Sequence, residues 1–370
     1  MKTTSLGQLE QALGRTGTYP YPGARLYNGN CLVWPLYGTT LNAVRILLEA
    51  KRTDVLWQID LKGATIYRLG GLDVPINIVS AIPAETGYAA VAGGKKRLVV
   101  AVETGEIRSE GAANSSPTAP ASRHGDVMLV PEGQVVSAYD LTSMELKWKR
   151  TVPDGMWALA PSTGPLIPIE DPSGSRVALW HCDHPAAWSI PHNGFDVVDA
   201  RAAPVLSGSV AVVPIKLSAP ELLAAIDHQT GESRWSMVYP RPDPAFPMGG
   251  GTAPFPYPTA AVEEMGQVVS ATAEPSVVCL DGSTGATVWS ASLPGRPTAL
   301  SLYKNIAWVA VEYGELLALD QNTGEIHGRA PLHESQDSRA RIESLAPIST
   351  LSAPSILAVS FRGSVFHVEL

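Results

Sequence analysis

One short motif recurs along this chain: an aspartate, a turn position four residues later, and an outward strand position, most often tryptophan, eight residues after the aspartate. Copies are LDGSTGATVW (280–289), IDHQTGESRW (226–235), YDLTSMELKW (139–148) and LDQNTGEIHG (319–328). Recurrence of one unit predicts a repeat architecture, in which each copy is a supersecondary unit that packs on its neighbours. The whole chain is therefore interpreted as copies of one unit before any residue is assigned a function.

The aspartate position serves as an anchor that can be followed through the degenerate copies. Eight anchors recur at intervals of 39 to 54 residues, which is typical of a four-stranded propeller blade of about 40–50 residues. A short apolar or alternating segment precedes each anchor, as expected for a strand. The anchors are Glu49, Ala101, Asp140, Trp180, Asp227, Asp281, Asp320 and Glu369.

The residue types of the motif predict a hairpin. An aspartate that ends a strand can accept backbone N–H groups within a turn, and the glycine supplies a positive φ without steric cost. The tryptophan then lies on the outer strand, where its ring is expected to wedge against the neighbouring blade. These blade-docking tryptophans are Trp57, Trp148, Trp188, Trp235 and Trp289, whereas Ser109 and Gly328 hold the same position in two other copies.

The last copy ends at the C-terminus before its fourth strand. Thr16, Gly17 and Tyr21 have part of the outer-strand spacing, so residues 17–23 are expected to complete the last blade. Pairing of the N- and C-terminal strands closes a ring and removes its open edge. The sequence thus predicts one all-β domain over residues 1–370, an eight-bladed β-propeller of four-stranded antiparallel blades.

The D-x-x-T-G-x-x-x-W repeat resembles that of the pyrroloquinoline-quinone-like β-propeller family with its tryptophan-docking motifs, and in length the chain resembles stand-alone members. The resemblance implies the scaffold and suggests a quinone-dependent oxidoreductase as one activity. Many such alcohol-oxidising enzymes carry adjacent cysteines and calcium, whereas Cys31, Cys182 and Cys279 are far apart. No cofactor is therefore expected.

Composition excludes several classes of function. The net charge of −8 and the lack of a basic stripe argue against a nucleic-acid partner. No apolar run approaches the length of a membrane span, and no secretory signal pattern is evident, so a cytoplasmic protein is expected. The run His181, Cys182, Asp183, His184 lacks the second ligand pair of a zinc site and is interpreted as a solvated turn.

Four segments interrupt the repeat, 70–87, 190–203, 237–260 and 331–345, and all are expected at one mouth of the central channel. Variable loops on a rigid scaffold commonly carry binding residues. The binding candidates are His192, Asn193, Asp196, Arg241, Asp243, Phe246, Tyr257, His333 and Arg341.

The function expected from these features is that of a non-catalytic binding or scaffolding propeller that recognises a protein partner or small ligand. The first alternative is a lyase, cyclase or isomerase with a pocket at the same mouth, for which His192 paired with Asp196 or Asp199 is the candidate base. A further alternative is a sensor module that recognises a peptide or carbohydrate. No metal site is expected.

Overall fold

A computed structural model describes residues 1–370 except 9–24, 28–30, 36–39, 62–64, 70–71, 77–78, 114, 159–162, 172–175, 191–202, 217–220, 240–258, 263–265, 273–274, 313, 333–341 and 361–363. Strands account for almost all regular structure in this part of the chain. Its only helical element is a 3₁₀ turn at Pro153–Gly155.

The first half of the chain forms sheets A to C and a separate ribbon. The first strand is β1 (Lys2–Gln8). Sheet A contains β2 (Arg25–Tyr27), β3 (Cys31–Pro35), β4 (Thr40–Leu47) and β5 (Arg52–Asp60). The ribbon contains β6 (Thr65–Leu69) and β7 (Leu72–Ile76). Sheet B contains β8 (Val79–Pro83), β9 (Tyr88–Gly93), β10 (Lys96–Ala101) and β11 (Ile107–Ala112). Sheet C contains β12 (Ser122–His124), β13 (Val127–Pro131), β14 (Val135–Asp140) and β15 (Leu146–Thr151).

The second half forms sheets D to H. Sheet D contains β16 (Leu166–Glu170), β17 (Val177–His181) and β18 (Trp188–Ser189). Sheet E contains β19 (Val205–Ser207), β20 (Val210–Lys216), β21 (Glu221–Asp227) and β22 (Ser233–Tyr239). Sheet F contains β23 (Thr259–Val262), β24 (Gln267–Ala271), β25 (Ser276–Asp281) and β26 (Thr287–Ser292). Sheet G contains β27 (Pro297–Tyr303), β28 (Ile306–Val311), β29 (Glu315–Asp320) and β30 (Ile326–Pro331). Sheet H contains β31 (Ile342–Pro347), β32 (Ser355–Ser360), β33 (Ser364–Glu369) and β1.

These sheets form an all-β propeller. All strand pairs are antiparallel, and the first strands of neighbouring sheets contact one another, β2 with β8, β8 with β12, β19 with β23, β23 with β27, β27 with β31, and β31 with β2. Side-chain hydroxyls join the remaining neighbours, since Ser122 donates to the Gly164 carbonyl and Thr163 to the Pro204 carbonyl. Apolar faces of adjacent sheets form the core between them.

The prediction of eight four-stranded blades is wrong. In the described residues seven sheets have four strands, sheet D has three, and the β6–β7 ribbon stands outside the repeat. Residues 159–162 lie outside the described residues, and on either side of them two isolated bridges, Trp157 with Glu170 and Thr163 with Leu166, stand in the first-strand position of sheet D. Its outer strand has only two residues.

The chain ends meet in sheet H, although by a different segment from the one expected. β1 pairs with β33 from Lys2 opposite Glu369 to Gln8 opposite Ser364. Lys2–Gln8 therefore holds the outer position that residues 17–23 were expected to fill. Residues 17–23 lie outside the described residues.

Strand register also corrects two anchors. In most sheets a β-bulge precedes the anchor by one residue, as between Ala225 and Ile226 before Asp227. The same bulge in sheet A lies between Ala43 and Val44, which makes Arg45 the anchor. Glu49 lies in the turn of a longer hairpin. In sheet D the residue equivalent to Asp227 is His181, which pairs with the first residue of β16, so the choice of Trp180 is wrong by one residue.

Candidate functional site

The ring has two unlike faces. The turn face carries the turns between the first and second and between the third and fourth strands of each sheet. The loop face carries the turns between second and third strands and the connections from each fourth strand to the next sheet. The predicted insertions belong to these connections, although the first spans 61–78 and not 70–87, because β8 begins at Val79.

All nine predicted binding residues lie outside the described residues. They are His192, Asn193, Asp196, Arg241, Asp243, Phe246, Tyr257, His333 and Arg341. Their participation in binding stays a prediction. The described geometry instead accounts for the repeat motif and reveals a polar cluster on the turn face.

The aspartate of the motif orders its own turn. Asp281 Oδ1 accepts the backbone N–H groups of Ser283 (3.0 Å) and Thr284 (2.8 Å), and Gly285 N–H bonds to the Asp281 carbonyl (2.8 Å). Hydrogen bonds from the Ser283 and Thr284 hydroxyls and amides lower the pKa of Asp281. Asp140, Asp227 and Asp320 accept the equivalent bonds. These carboxylates are consequently occupied in structural contacts.

The tryptophans of the motif contact the turn of the following sheet. In three junctions the indole Nε1 donates to the carbonyl of the residue after the next anchor. The bonds join Trp57 to Val102 (2.8 Å), Trp235 to Gly282 (2.9 Å) and Trp289 to Gln321 (2.9 Å). Each ring lies where a Cβ would be if the motif glycine were alanine. The glycines are Gly105 against Trp57, Gly231 against Trp188, Gly285 against Trp235 and Gly324 against Trp289.

Sheets B and C meet through a different pair. Ser109 holds the tryptophan position and donates to the Thr142 carbonyl (2.8 Å). Met144 holds the glycine position with a φ of 59° and is buried. Its backbone and Cβ lie so close to Gly111 that no side chain fits there. A small residue on one sheet is thus matched by a larger one on the next.

At the junction of sheets C, D and E, the turn after β17 lacks threonine and glycine and forms a histidine cluster. We define this cluster as His124, His181, His184, His228, Arg150 and Asp183. Asp183 links sheets C and D, because its Oδ1 accepts from Arg150 Nη1 (2.5 Å) and its Oδ2 from His124 Nε2 (3.3 Å). Arg150 Nη1 also donates to the Cys182 carbonyl, and its guanidinium lies 4.3 Å from the Trp148 ring centroid.

The electrostatics of the histidine cluster follow from these contacts. The hydrogen bond from Arg150 lowers the pKa of Asp183. Burial lowers the pKa of His181, and the neighbouring His124 and His228 act in the same direction while Asp183 opposes them. His181 Nδ1 accepts the Asp183 backbone N–H (3.2 Å), which fixes the neutral ring's proton on Nε2.

Metal and thiol chemistry find no support in the described part of the chain. There, no group of three or more His, Cys, Asp or Glu residues is arranged to hold a metal ion. The three cysteines are buried and form no disulfide. Burial raises the pKa of Cys182 to about 12 and that of Cys279 to about 11, so both remain unreactive thiols at neutral pH.

A buried ion pair near the loop face was missed by the sequence analysis. Arg97 Nη2 lies 2.7 Å from Glu132 Oε1, with side-chain exposures of 0% and 1%. Ser137 donates to Glu132 Oε2 (2.5 Å), and Arg97 also donates to the Ser115 carbonyl (3.0 Å). The pair joins sheets B and C. Because the two residues belong to different repeats, neither motif nor spacing reveals it.

Comparison with protein-family models identifies the family. The model described as outer membrane protein assembly factor BamB matches residues 44–213 and 219–369. The chain belongs to this family. This agrees with the resemblance to pyrroloquinoline-quinone-like repeats. No curated protein sequence matches the chain.

Solved structures confirm the propeller fold. BamB from Moraxella catarrhalis is 14% identical with a TM-score of 0.63, over 100% of this chain and 99% of that one. The computationally designed Ika8 protein is 14% identical with a TM-score of 0.62, over 99% and 100%. Sqt1 from Saccharomyces cerevisiae is 11% identical with a TM-score of 0.66, over 100% of both chains. Among the described residues, no helix has the length and apolar character to cross a membrane.

Proposed function

We propose that the chain is a non-catalytic binding or scaffolding module that recognises a protein partner through its loop face. The observation that carries this proposal is the match of almost the whole chain to a family described as an assembly factor. An assembly factor acts by holding other proteins, and closed propellers offer rigid surfaces for that purpose. The expected cytoplasmic location stays a prediction.

The chemistry of the described residues supports binding over catalysis. Where the pKa of a described carboxyl group is shifted, it is lowered, and the cause is a turn or an ion pair. A general acid or base at neutral pH instead requires a carboxyl group whose pKa is raised. The shifted groups thus match a structural role.

Site-directed photo-crosslinking of the full chain tests the proposal. A photoreactive residue at Lys95 or Gln134, both exposed on loop-face turns, should give a discrete crosslinked protein in cells. The matched positions Glu103 and Asn322, exposed on the turn face, should not. A partner crosslinked only from the turn face, or none from any position, would reject the proposal.

A further inference from the structure

The buried pair Arg97–Glu132 holds three segments of the loop face together. Arg97 Nη1 donates to the carbonyls of Gly94 (3.1 Å) and Lys96 (2.8 Å), both at the β9–β10 turn. Arg97 Nη2 donates to the Ser115 carbonyl (3.0 Å), in the connection from sheet B to sheet C, and to Glu132 Oε1 (2.7 Å), in the β13–β14 turn. Because separating the pair would leave an uncompensated buried charge, these segments are fixed relative to one another.

Thr118 adds further bonds between the same connection and sheet C. Its backbone N–H donates to the Pro131 carbonyl (2.9 Å), and its Oγ1 accepts the Gly133 N–H (2.8 Å). The same hydroxyl donates to the Ala158 carbonyl (2.6 Å). The connection is therefore ordered by main-chain groups of the turns around it. We call the three segments held in this way the clamped surface, residues 93–96, 115–118 and 132–134.

The clamped surface carries an excess of positive charge. Lys95 is exposed in the β9–β10 turn. Lys149 is 41% exposed, and its Nζ lies 3.8 Å from Glu132 Oε2, a carboxylate whose charge the buried guanidinium already balances. Lys96 and Glu110 form a neutral pair beside them (3.4 Å). Two exposed ammonium groups therefore lack a compensating carboxylate of their own.

We propose that the clamped surface binds an acidic segment of the partner protein through Lys95 and Lys149. Arg97 and Glu132 are positioning residues, because they order this surface without contacting the segment. The inference rests on the proposed function and names the chemistry of the partner. Opposite charges across an interface steer association and fix its register. Since the chain has a net charge of −8, an acidic segment is attracted only where cations are in local excess.

The test uses the full chain and a displayed library of random linear peptides. Selected peptides should be rich in Asp and Glu, and the Kd of synthetic copies is measured by fluorescence anisotropy. Lys95→Gln combined with Lys149→Gln removes two exposed ion pairs and should weaken binding about fivefold. The matched variant Lys51→Gln removes an exposed charge from the turn face and should leave the Kd unchanged.

Two further variants test the positioning role. Arg97→Met combined with Glu132→Leu replaces the buried pair by apolar side chains of similar size, which commonly preserves stability. Binding should weaken about tenfold, because the lysines remain but the segments that carry them are no longer held. Thr118→Val removes the bridging hydroxyl without changing any charge and should weaken binding about threefold. A Kd that stays unchanged in these variants would overturn the positioning role.

The remaining outcomes separate this inference from the proposed function. Peptides without acidic enrichment, a library without binders, or equal losses in Lys51→Gln and in the double variant Lys95→Gln/Lys149→Gln would overturn the inference. Cellular crosslinks from Gln134 that persist at full yield in that double variant would also overturn it, while leaving the proposed function intact. Crosslinks from no loop-face position of the otherwise unaltered chain would reject both.

Discussion

The packing of Trp289 against Gly324 allows a quantitative test of how neighbouring sheets are joined. Trp289 on sheet F is buried, and its Nε1 donates to the Gln321 carbonyl of sheet G (2.9 Å). A Cβ on Gly324 would lie 2.5 Å from Cε3 of the ring, and Gly324 has a φ of 74°. Gly324→Ala should therefore combine backbone strain with a collision against the indole.

The two contributions can be separated with a second glycine. Gly87 has a φ of 82° but open space around it, so Gly87→Ala should cost only the left-handed strain, about 1–2 kcal/mol. Gly324→Ala should add about 1–3 kcal/mol for overpacking. Trp289→Ala should cost about 3–5 kcal/mol. With the ring removed, Gly324→Ala should cost only as much as Gly87→Ala.

The free energy of unfolding is measured by urea denaturation for the four proteins of the Trp289–Gly324 cycle and for Gly87→Ala. The cycle should give a coupling energy of about 1–3 kcal/mol, with slopes that agree among the variants. If Gly324→Ala were equally costly with and without Trp289, the glycine would be required only for its backbone conformation. The explanation of the motif as ring against glycine would then be refuted.

Three further predictions concern the exceptional junctions and pH. Ser109→Trp should overfill the junction between sheets B and C, and Met144→Gly should leave a cavity there, so each should lower the melting temperature. In calorimetry the double variant should melt at a higher temperature than either single variant, and additive losses would contradict this. The pKa of Asp140 is lowered from 3.8 to about 2. Its contribution to the free energy of unfolding is present above pH 4 and lost as the pH falls to about 2. Asp140→Asn should therefore reduce the change in the free energy of unfolding, measured with urea, between pH 4 and about pH 2. An unchanged pH dependence would disprove this. Because burial lowers the pKa of His181 below 6.5, the unfolded chain binds its proton at higher pH, so stability decreases as the pH falls below 6.5. His181→Asn should reduce that decrease in urea titrations, and an equal decrease in the variant would show that another group causes it.

Local sequence signals predicted the turns and strands well, because those signals act within one hairpin. The Asp281 turn, its positive-φ Gly285 and the outer strand that follows all have the expected form. Strand pairing between distant segments has no such local signal. Both Lys2–Gln8 and residues 17–23 lie before sheet A in the chain, and either could supply the outer strand of sheet H. Only the pairing with β33 shows that Lys2–Gln8 does so.

The histidine cluster was only half visible in the sequence. The run His181–His184 was evident, but its partners His124 and Arg150 belong to another repeat and carry no motif. Both contact Asp183 in a turn that lacks the threonine and glycine of the motif. The positions of the predicted binding residues could not be derived from the sequence for a different reason. They lie in long connections, which lack the periodicity that made the strands predictable.

The departures from the repeat have a common physical logic that becomes evident only between sheets. Within its own repeat, Ser109 stands where other repeats have tryptophan, and Met144 stands where they have glycine. They occupy the two positions that meet across the other junctions, and here Met144 is buried against Gly111 while Ser109 bonds to Thr142. Each sheet presents its outer strand to the next sheet's turn, so the two positions must change as a pair to keep the packing closed. The unit that must be compared among relatives is therefore the junction between sheets, not the single repeat.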